Sequence, residues 1–326
     1  MNKTAARFSS LHFKIKINEI IYKIFRGVLL FGLCFLILQP LLDKLSVSFM
    51  EQQDLFDATV ISIPRNFSVT NYSLSIDILS YWSSLFQTTG ILLVSSALQI
   101  IACTLAAYGF ARYKFPGRSI LFASVMLMII IPPQTIFSSL YLNFHFFDIF
   151  GIIKATTGKT INMLNSVAGY WMLSATGMGL KSGLYIFMLR QYFRGIPKEL
   201  EEAAYVDGCS RFYTFVKILL PDAAPMLTSC FLFSFVWQWT DTFYTTLFLR
   251  NYRMISIALS RAAEVFGQYW GRLNEIAETT TVVAPVAYVQ ATMATCMLLC
   301  LAPLIILYIF AQKAFVESLS QTGIKM

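Results

Sequence analysis

The chain has 326 residues, of which 57% are hydrophobic and 13% charged, and a net charge of +8. Average soluble domains carry about 25% charged residues, so the composition excludes an ordinary soluble globular protein. No basic stripe lies beside stacking aromatics, which excludes a nucleic-acid groove binder. Several charge-free windows reach the roughly 20 residues that cross a ~30 Å hydrocarbon core, which predicts an all-α, polytopic membrane protein with about six transmembrane helices. The two histidines, His12 and His145, and the six cysteines show no metal-ligand spacing and no nucleophile–base pairing. No catalytic and no metal site is therefore expected.

Residues 1–26 form a basic segment, with Lys14, Lys16, Lys23 and Arg26 among apolar residues, suited to the inner membrane surface. A transmembrane domain is expected over 27–312, and its first span over 24–49, with Asp43 and Lys44 at the outer interface. An acidic loop follows, with Glu51, Asp54 and Asp57, then the stretch Pro64 to Tyr72. Span 2 is predicted at 86–110. Phe115-Pro116-Gly117 then makes a tight reversal, since Pro followed by Gly suits a turn. Span 3, at 119–141, should kink at Pro132-Pro133.

Residues 142–167 read as an outer loop without clear structure. Gly158-Lys159-Thr160 is not a phosphate loop, because that cradle needs a glycine five positions before the second one, and Gly151 is too far upstream. Span 4 is placed at 164–190, interrupted by Lys181, with Gly177-Met178-Gly179 favouring a break. The polar stretch 191–222 should hold two short helices. Pro197 suits a first helical turn, Lys198 to Val206 are good helix formers, and Gly208 accepts the angles that end a helix. Ser210 can cap the second helix and Pro221 ends it. Span 5 is expected at 223–249. In a continuous helix, Trp237, Gln238, Asp241, Tyr244 and Thr245 would share one polar, aromatic face. That face suits either a sugar-lined path or an interfacial aromatic belt. A long outer segment, 250–288, precedes span 6 at 289–310 and a tail at 313–326. Of the 25 Lys and Arg residues, 16 fall in the segments this scheme places inside, so both termini should be cytoplasmic.

Several of these stretches carry a resemblance. Glu202-Ala203-Ala204, three residues, Gly208, nine residues, then Ile218, Leu220 and Pro221 resemble the EAA loop of importer-type ABC transporter permeases. Ala107-Tyr108-Gly109-Phe110-Ala111-Arg112 with Phe115-Pro116-Gly117-Arg118, the run Leu189 to Phe193, the Pro64–Tyr72 loop and the tail from Gln312 are similar to signatures of the carbohydrate-uptake, maltose-transporter-like branch. The resemblance implies that 191–222 is a cytoplasmic coupling loop between spans 4 and 5, docking on an ATPase through Glu202, Ala203, Ala204, Tyr205, Asp207, Gly208, Ile218, Leu220 and Pro221. Glu202 would orient the loop through backbone or Arg contacts, and Ala203 and Ala204 would allow close docking.

The implied function is half of the pathway of an ATP-driven importer for a carbohydrate, with aromatic richness and long outer loops pointing to an oligosaccharide. The implied partners are a second homologous permease, a cytoplasmic ATPase dimer holding ATP and Mg, an extracytoplasmic solute-binding protein, and lipid of a bacterial cytoplasmic membrane. Trp237, Gln238, Asp241 and Tyr244 are the candidate substrate-pathway residues. An importer for a non-sugar solute, or an ion-driven transporter using Asp241 or Lys181, is the alternative.

Overall fold

A computed structural model describes residues 2–57, 59–60, 63–149, 151–276 and 285–323, with side chains described from 18 to 273 and from 285 to 313 within those ranges. Its helices are α1 (Asn2–Ser48), α2 (Thr70–Leu79), α3 (Tyr81–Arg112), α4 (Arg118–Ile130), α5 (Phe137–His145), α6 (Ile152–Thr157), α7 (Val167–Ala175), α8 (Ser182–Gly195), α9 (Glu199–Val206), α10 (Arg211–Thr214), α11 (Leu220–Asp222), α12 (Ala224–Thr240), α13 (Phe243–Phe248), α14 (Ile255–Ile276) and α15 (Val286–Gly323). Among the described residues the fold is all-α, with two isolated β-bridges, Met50 to Phe67 and Phe147 to Ile161. The chain divides into two compact units, one of residues 1–74 and 284–298, the other of 75–283 and 299–326.

In the first unit, α1 runs unbroken through residue 26. The basic segment and the first span thus lie on one continuous helix. Within Asn18–Ser48 the side chains stand outward, with Phe31 74% and Ile37 75% exposed. Apolar surface of that extent belongs against hydrocarbon or another protein. The Pro64–Tyr72 loop folds back on the end of α1. Asp54 accepts hydrogen bonds from the backbone N–H groups of Arg65 and Asn66 at 2.9 and 2.8 Å. Asn71 donates to the carbonyls of Ser48 and Met50, and Phe67 stacks on Phe49 at 4.7 Å. The asparagines and aromatics of this signature therefore close a turn.

In the second unit, α3 is the central element, packed by α7, α8, α12 and α14. Three described helices are long and apolar enough to span a membrane: Asn18–Ser48, Tyr81–Arg112 and Val286–Lys313. The other expected spans are broken. At 1.5 Å per residue, the 13 residues of α4 reach about 20 Å, short of a bilayer core. The chain then turns by 108° into the segment Pro133–His145. The Pro132-Pro133 feature is therefore a sharp turn and not a kink in a single span. Span 4 is two helices, α7 and α8, separated by residues 176–181 at the Gly177-Met178-Gly179 stretch. Span 5 stops at Thr240 and resumes as α13. The 142–167 loop contains α6, and the 250–288 segment contains the 22-residue α14. The start of α14 is seated on α3 by Ile255 N–H donating to the Thr88 hydroxyl at 2.9 Å. Residues 277–284 lie outside the described residues.

The α4–α8 contact depends on Gly183. A Cβ there would stand 2.8 Å from the Val125 carbonyl oxygen, and backbone cannot yield as a flexible side chain could. Gly90, within α3, has open space around it. Gly183→Ala should therefore destabilise by roughly 1–3 kcal/mol through overpacking. Gly90→Ala should be neutral or stabilising by up to about 1 kcal/mol. Thermal unfolding of the two variants in detergent separates these outcomes.

Candidate functional site

The 191–222 loop is built by local chemistry. α9 has three acidic residues in its first turn, Glu199, Glu201 and Glu202, where the helix dipole favours negative charge. It ends at Gly208, whose φ of +81° is open to glycine at little cost. Cys209 N–H donates to the Ala204 carbonyl at 2.9 Å and Gly208 N–H to that of Tyr205 at 3.1 Å. This is the Schellman pattern, which satisfies the last carbonyls of the helix. Ser210 then caps α10 by accepting from Tyr213 N–H at 3.2 Å. The expectation that Pro221 ends the second helix is corrected. α10 passes through a π-helical turn, Phe215–Leu219, into α11, which contains Pro221 and continues to Asp222. The chain then bends by 74° into α12.

Two sets of contacts anchor this loop. Phe215, brought inward by the π turn, lies 4.3 Å from the Tyr108 ring and 6.3 Å from that of Phe193, and Tyr108 and Phe193 are 5.8 Å apart. Leu219 and Ile196 are buried in the same core. Beside it, Arg112 Nε stands 2.6 Å from Glu201 Oε1, with both side chains nearly buried. Neither atom completes an aligned hydrogen bond, so the contact is an ion pair. Arg112 also donates from Nη2 to the Ile196 carbonyl at 2.9 Å, and Tyr192 donates to the Asp222 carbonyl at 2.7 Å. Partial burial, and then the nearby Glu201 carboxylate, push the Tyr205 phenol above its ordinary pKa.

These contacts correct two sequence expectations. The glutamate that orients the loop through an arginine is Glu201, while Glu202 is exposed. Of the two alanines, Ala204 is 4% exposed and faces inward, so only Ala203 is presented outward. Three consecutive loop residues are acidic or apolar around Glu201, and nothing in their order distinguishes the buried carboxylate. The outward face also contains Leu200 at 47% exposed, Val206 at 88%, Phe212 at 75% and Tyr213 at 51%. Leu200, Ala203 and Val206 follow the i, i+3 spacing of one helix face. Asp207 and Gly208 are exposed beside them, Ile218 and Leu220 are half-buried, and Pro221 is exposed.

A second polar group lies at the centre of the helices. Gln99 of α3 donates from Nε2 to the Leu180 carbonyl at 2.8 Å and to the Ser182 hydroxyl at 2.7 Å. Its Oε1 accepts from Ser234 at 2.5 Å and from Gln238 at 2.8 Å. Gln238 in turn accepts from the Tyr170 hydroxyl at 3.1 Å. The shared face expected for Trp237, Gln238, Asp241, Tyr244 and Thr245 is not formed, because the helix stops before Asp241. Gln238 is consumed in the network just described. The Asp241 carboxylate accepts from Tyr244 N–H at 2.9 Å and Thr245 N–H at 3.1 Å, capping α13. Tyr244 and Thr245 are buried. Trp237 alone of the group is exposed, with Lys181 Nζ 5.2 Å above its ring.

The Arg112–Glu201 pair should behave as a buried ion pair whose halves cannot be removed singly. Arg112→Met or Glu201→Met alone should speed amide exchange across residues 199–206 by about tenfold or more. The double variant should recover most of the protection. Equal exchange in both single variants and the parent chain would show that the pair does not hold the loop.

Comparison with known proteins completes the assignment. Residues 99–321 match the family described as binding-protein-dependent transport system inner membrane component. The alpha-glucoside transport system permease protein AglG of Rhizobium meliloti is 34% identical over 61% of this chain and 48% of its own length. The arabinooligosaccharides transport system permease protein AraQ of Halalkalibacterium halodurans is 23% identical over 90% of this chain and 93% of its own. The match to AglG thus spans about half the length of that relative. A bacterial ABC transporter involved in import of the acidic polysaccharide alginate has a solved chain similar in fold, with a TM-score of 0.67 at 20% identity, covering 91% of this chain and 98% of that one. With the family match extending from the centre of α3 through the anchored loop to α15, this multi-pass membrane chain belongs to the inner membrane components of binding-protein-dependent transport systems, the importer-type ABC permeases.

Proposed function

We propose that this chain is the permease subunit of an ATP-driven importer for a carbohydrate, and that it forms half of the translocation path. The observation that carries the reading is the loop's two-sidedness. Glu201, Ala204, Phe215 and Leu219 face inward and are held, while Leu200, Ala203, Val206, Phe212 and Tyr213 face outward without cover. An exposed apolar patch rimmed by charge, on a rigid support, suits a protein partner. In this reading the partner is a cytoplasmic ATPase pair that binds ATP and Mg. Glu202 and Asp207, both exposed, lie on the docking rim.

Closure of the ATPase pair would displace the loop. The Arg112–Glu201 pair and the Tyr108–Phe193–Phe215 cluster would pass that displacement to α3 and α8 as a rigid body. The π turn and the 74° bend would pass it to α12. A second, homologous permease would supply the other half of the path, and an extracytoplasmic solute-binding protein would deliver the ligand. In this reading both termini lie on the cytoplasmic side of a bacterial cytoplasmic membrane, which the positive charge of the inner loops supports. The carbohydrate class follows the names of the relatives, for alpha-glucosides and arabinooligosaccharides. Trp237, the exposed member of its group, is the candidate contact in the pathway.

Two substitutions test the docking role. Gly208→Val forces a branched residue into left-handed backbone, at a cost of about 1–2 kcal/mol for an L-residue, and should disrupt the loop's turn. Val206→Asp puts a charge at the centre of the outward face. Each should reduce uptake by about tenfold or more while the chain's level in the membrane stays at the parent value. Val206→Asp should also lose the ATPase in pull-down. Normal uptake together with normal ATPase retention in both variants would refute the docking role.

A further inference from the structure

The region around the α12–α13 break contains a cavity of about 530 Å³ that the coupling argument does not use. It lies in the second unit, at the end of α12 away from the coupling loop. The 17 residues of α12 separate the two by about 25 Å. Its volume falls within the roughly 300–1,000 Å³ of small-ligand sites.

Its lining combines two kinds of group. Tyr141 and His145 of α5 are stacked, with ring centroids 5.6 Å apart and planes 9° from parallel, and Phe137 and Phe243, 5.9 Å apart, add two more rings to the lining. Asn162, Asn165 and Arg250 are polar members of the same lining. Asn162 uses its Oδ1 to accept from Leu164 N–H at 2.9 Å, which leaves its amide N–H groups to donate. His145 Nδ1 is buried and has no hydrogen-bond partner among the described residues. Arg250 is exposed at the mouth and forms no ion pair among the described residues. A polar inventory of this kind, unspent inside the protein, is what a hydroxyl-bearing ligand requires.

The walls are formed in advance of any ligand. Phe147 and Ile161 exchange backbone hydrogen bonds at 3.0 and 3.1 Å, and Met163 N–H donates to the Phe144 carbonyl at 2.8 Å. These bonds fix residues 161–165 against α5. The Asp241 carboxylate, by capping α13, fixes the opposite wall. The groove between α3 and α12, by contrast, is lined by aliphatic side chains and two phenylalanines, and its two threonines, Thr104 and Thr228, bond the carbonyls of their own helices.

We propose that this cavity is a carbohydrate-binding subsite on this subunit. The apolar face of a sugar ring lies on the Tyr141–His145 pair and against Phe243. Its hydroxyls accept from the Asn162 amide and the Arg250 guanidinium. Asn165 closes the rim. The inference rests on the carbohydrate reading above and adds that this chain itself contacts the sugar.

The test uses the full-length chain in lipid nanodiscs and saturation-transfer difference NMR. Its probes are maltotriose, arabinotriose and an alginate trisaccharide. At least one should receive saturation from the parent chain. In Tyr141→Ala and in Arg250→Ala the transfer should fall by about fivefold or more, as expected for loss of a stacking ring or a charged donor. Tyr141→Phe, which retains the ring, should keep most of it, and Ile120→Ala, on the exposed side of α4, should match the parent. No transfer from any of the three sugars, or undiminished transfer in both alanine variants, overturns the subsite. Uptake by cells carrying or lacking the chain separates this from the wider reading. Uptake that never depends on the chain removes the carbohydrate importer. Chain-dependent uptake with both alanine variants unaffected removes only the subsite.

Discussion

Inside hydrocarbon, a backbone carbonyl without a partner costs several kcal/mol, so a broken helix at membrane depth needs a donor at the break. Gln99 provides it. Its amide donates to the Leu180 carbonyl and the Ser182 hydroxyl at the α7–α8 junction, while its carbonyl receives Ser234 and Gln238 from α12. All four hydrogen-bonding positions of one side chain are filled. Three elements, α3, α8 and α12, are thereby held in one register by a residue with no measurable exposure. Gly179 makes room for it, since a Cβ there would stand 2.9 Å from the Gln99 nitrogen.

From this centre to the 191–222 loop the same helices run without interruption. α3 continues from Gln99 to Arg112, and α8 from Ser182 to Gly195. At their shared end, Tyr108, Phe193 and Phe215 pack together, and Arg112 meets Glu201. Aromatic contacts and a buried ion pair resist displacement in different ways. The rings limit separation and the pair limits rotation of α9 against α3. Under the proposed function, a push on the loop would reach α3 and α8, whose other contacts include the Gln99 network.

Three sequence signatures, separated by as much as a hundred residues, meet at that point. Tyr108 and Arg112 belong to one and Phe193 to another, while Glu201 immediately precedes the third and Phe215 lies in its spacer. Each signature is readable as a local string, but their meeting is not. The pairing of Arg112 with Glu201 in place of Glu202 depends on which side of α9 faces α3, and that follows from the angle at which the loop leaves α8. The π turn at Phe215–Leu219 has a similar cause. It carries Phe215 and Leu219 together into the core, a requirement set by Tyr108 and Phe193 and by nothing within the segment.

What the amino-acid order determined by itself was the membrane class, the all-α fold, the two short helices about Gly208 and the family. Each rests on local quantities, namely hydropathy over a window, capping residues, and a glycine where left-handed backbone is needed. The continuous helix expected through span 5 was the part that failed, and the kink expected in span 3 is a 108° turn, whereas the break expected in span 4 is present. Apolar content measures residence in hydrocarbon and is indifferent to where a helix breaks. Asp241 shows this most plainly, since a lone charge in an apolar run does not reveal that the helix stops beside it. Only the tertiary structure decided for the cap, because the end of α12 and the start of α13 leave two N–H groups that its carboxylate satisfies. The same packing decided which glutamate was buried, which alanine faced outward, and that rings from α5 and α13 would enclose a polar cavity beyond the break.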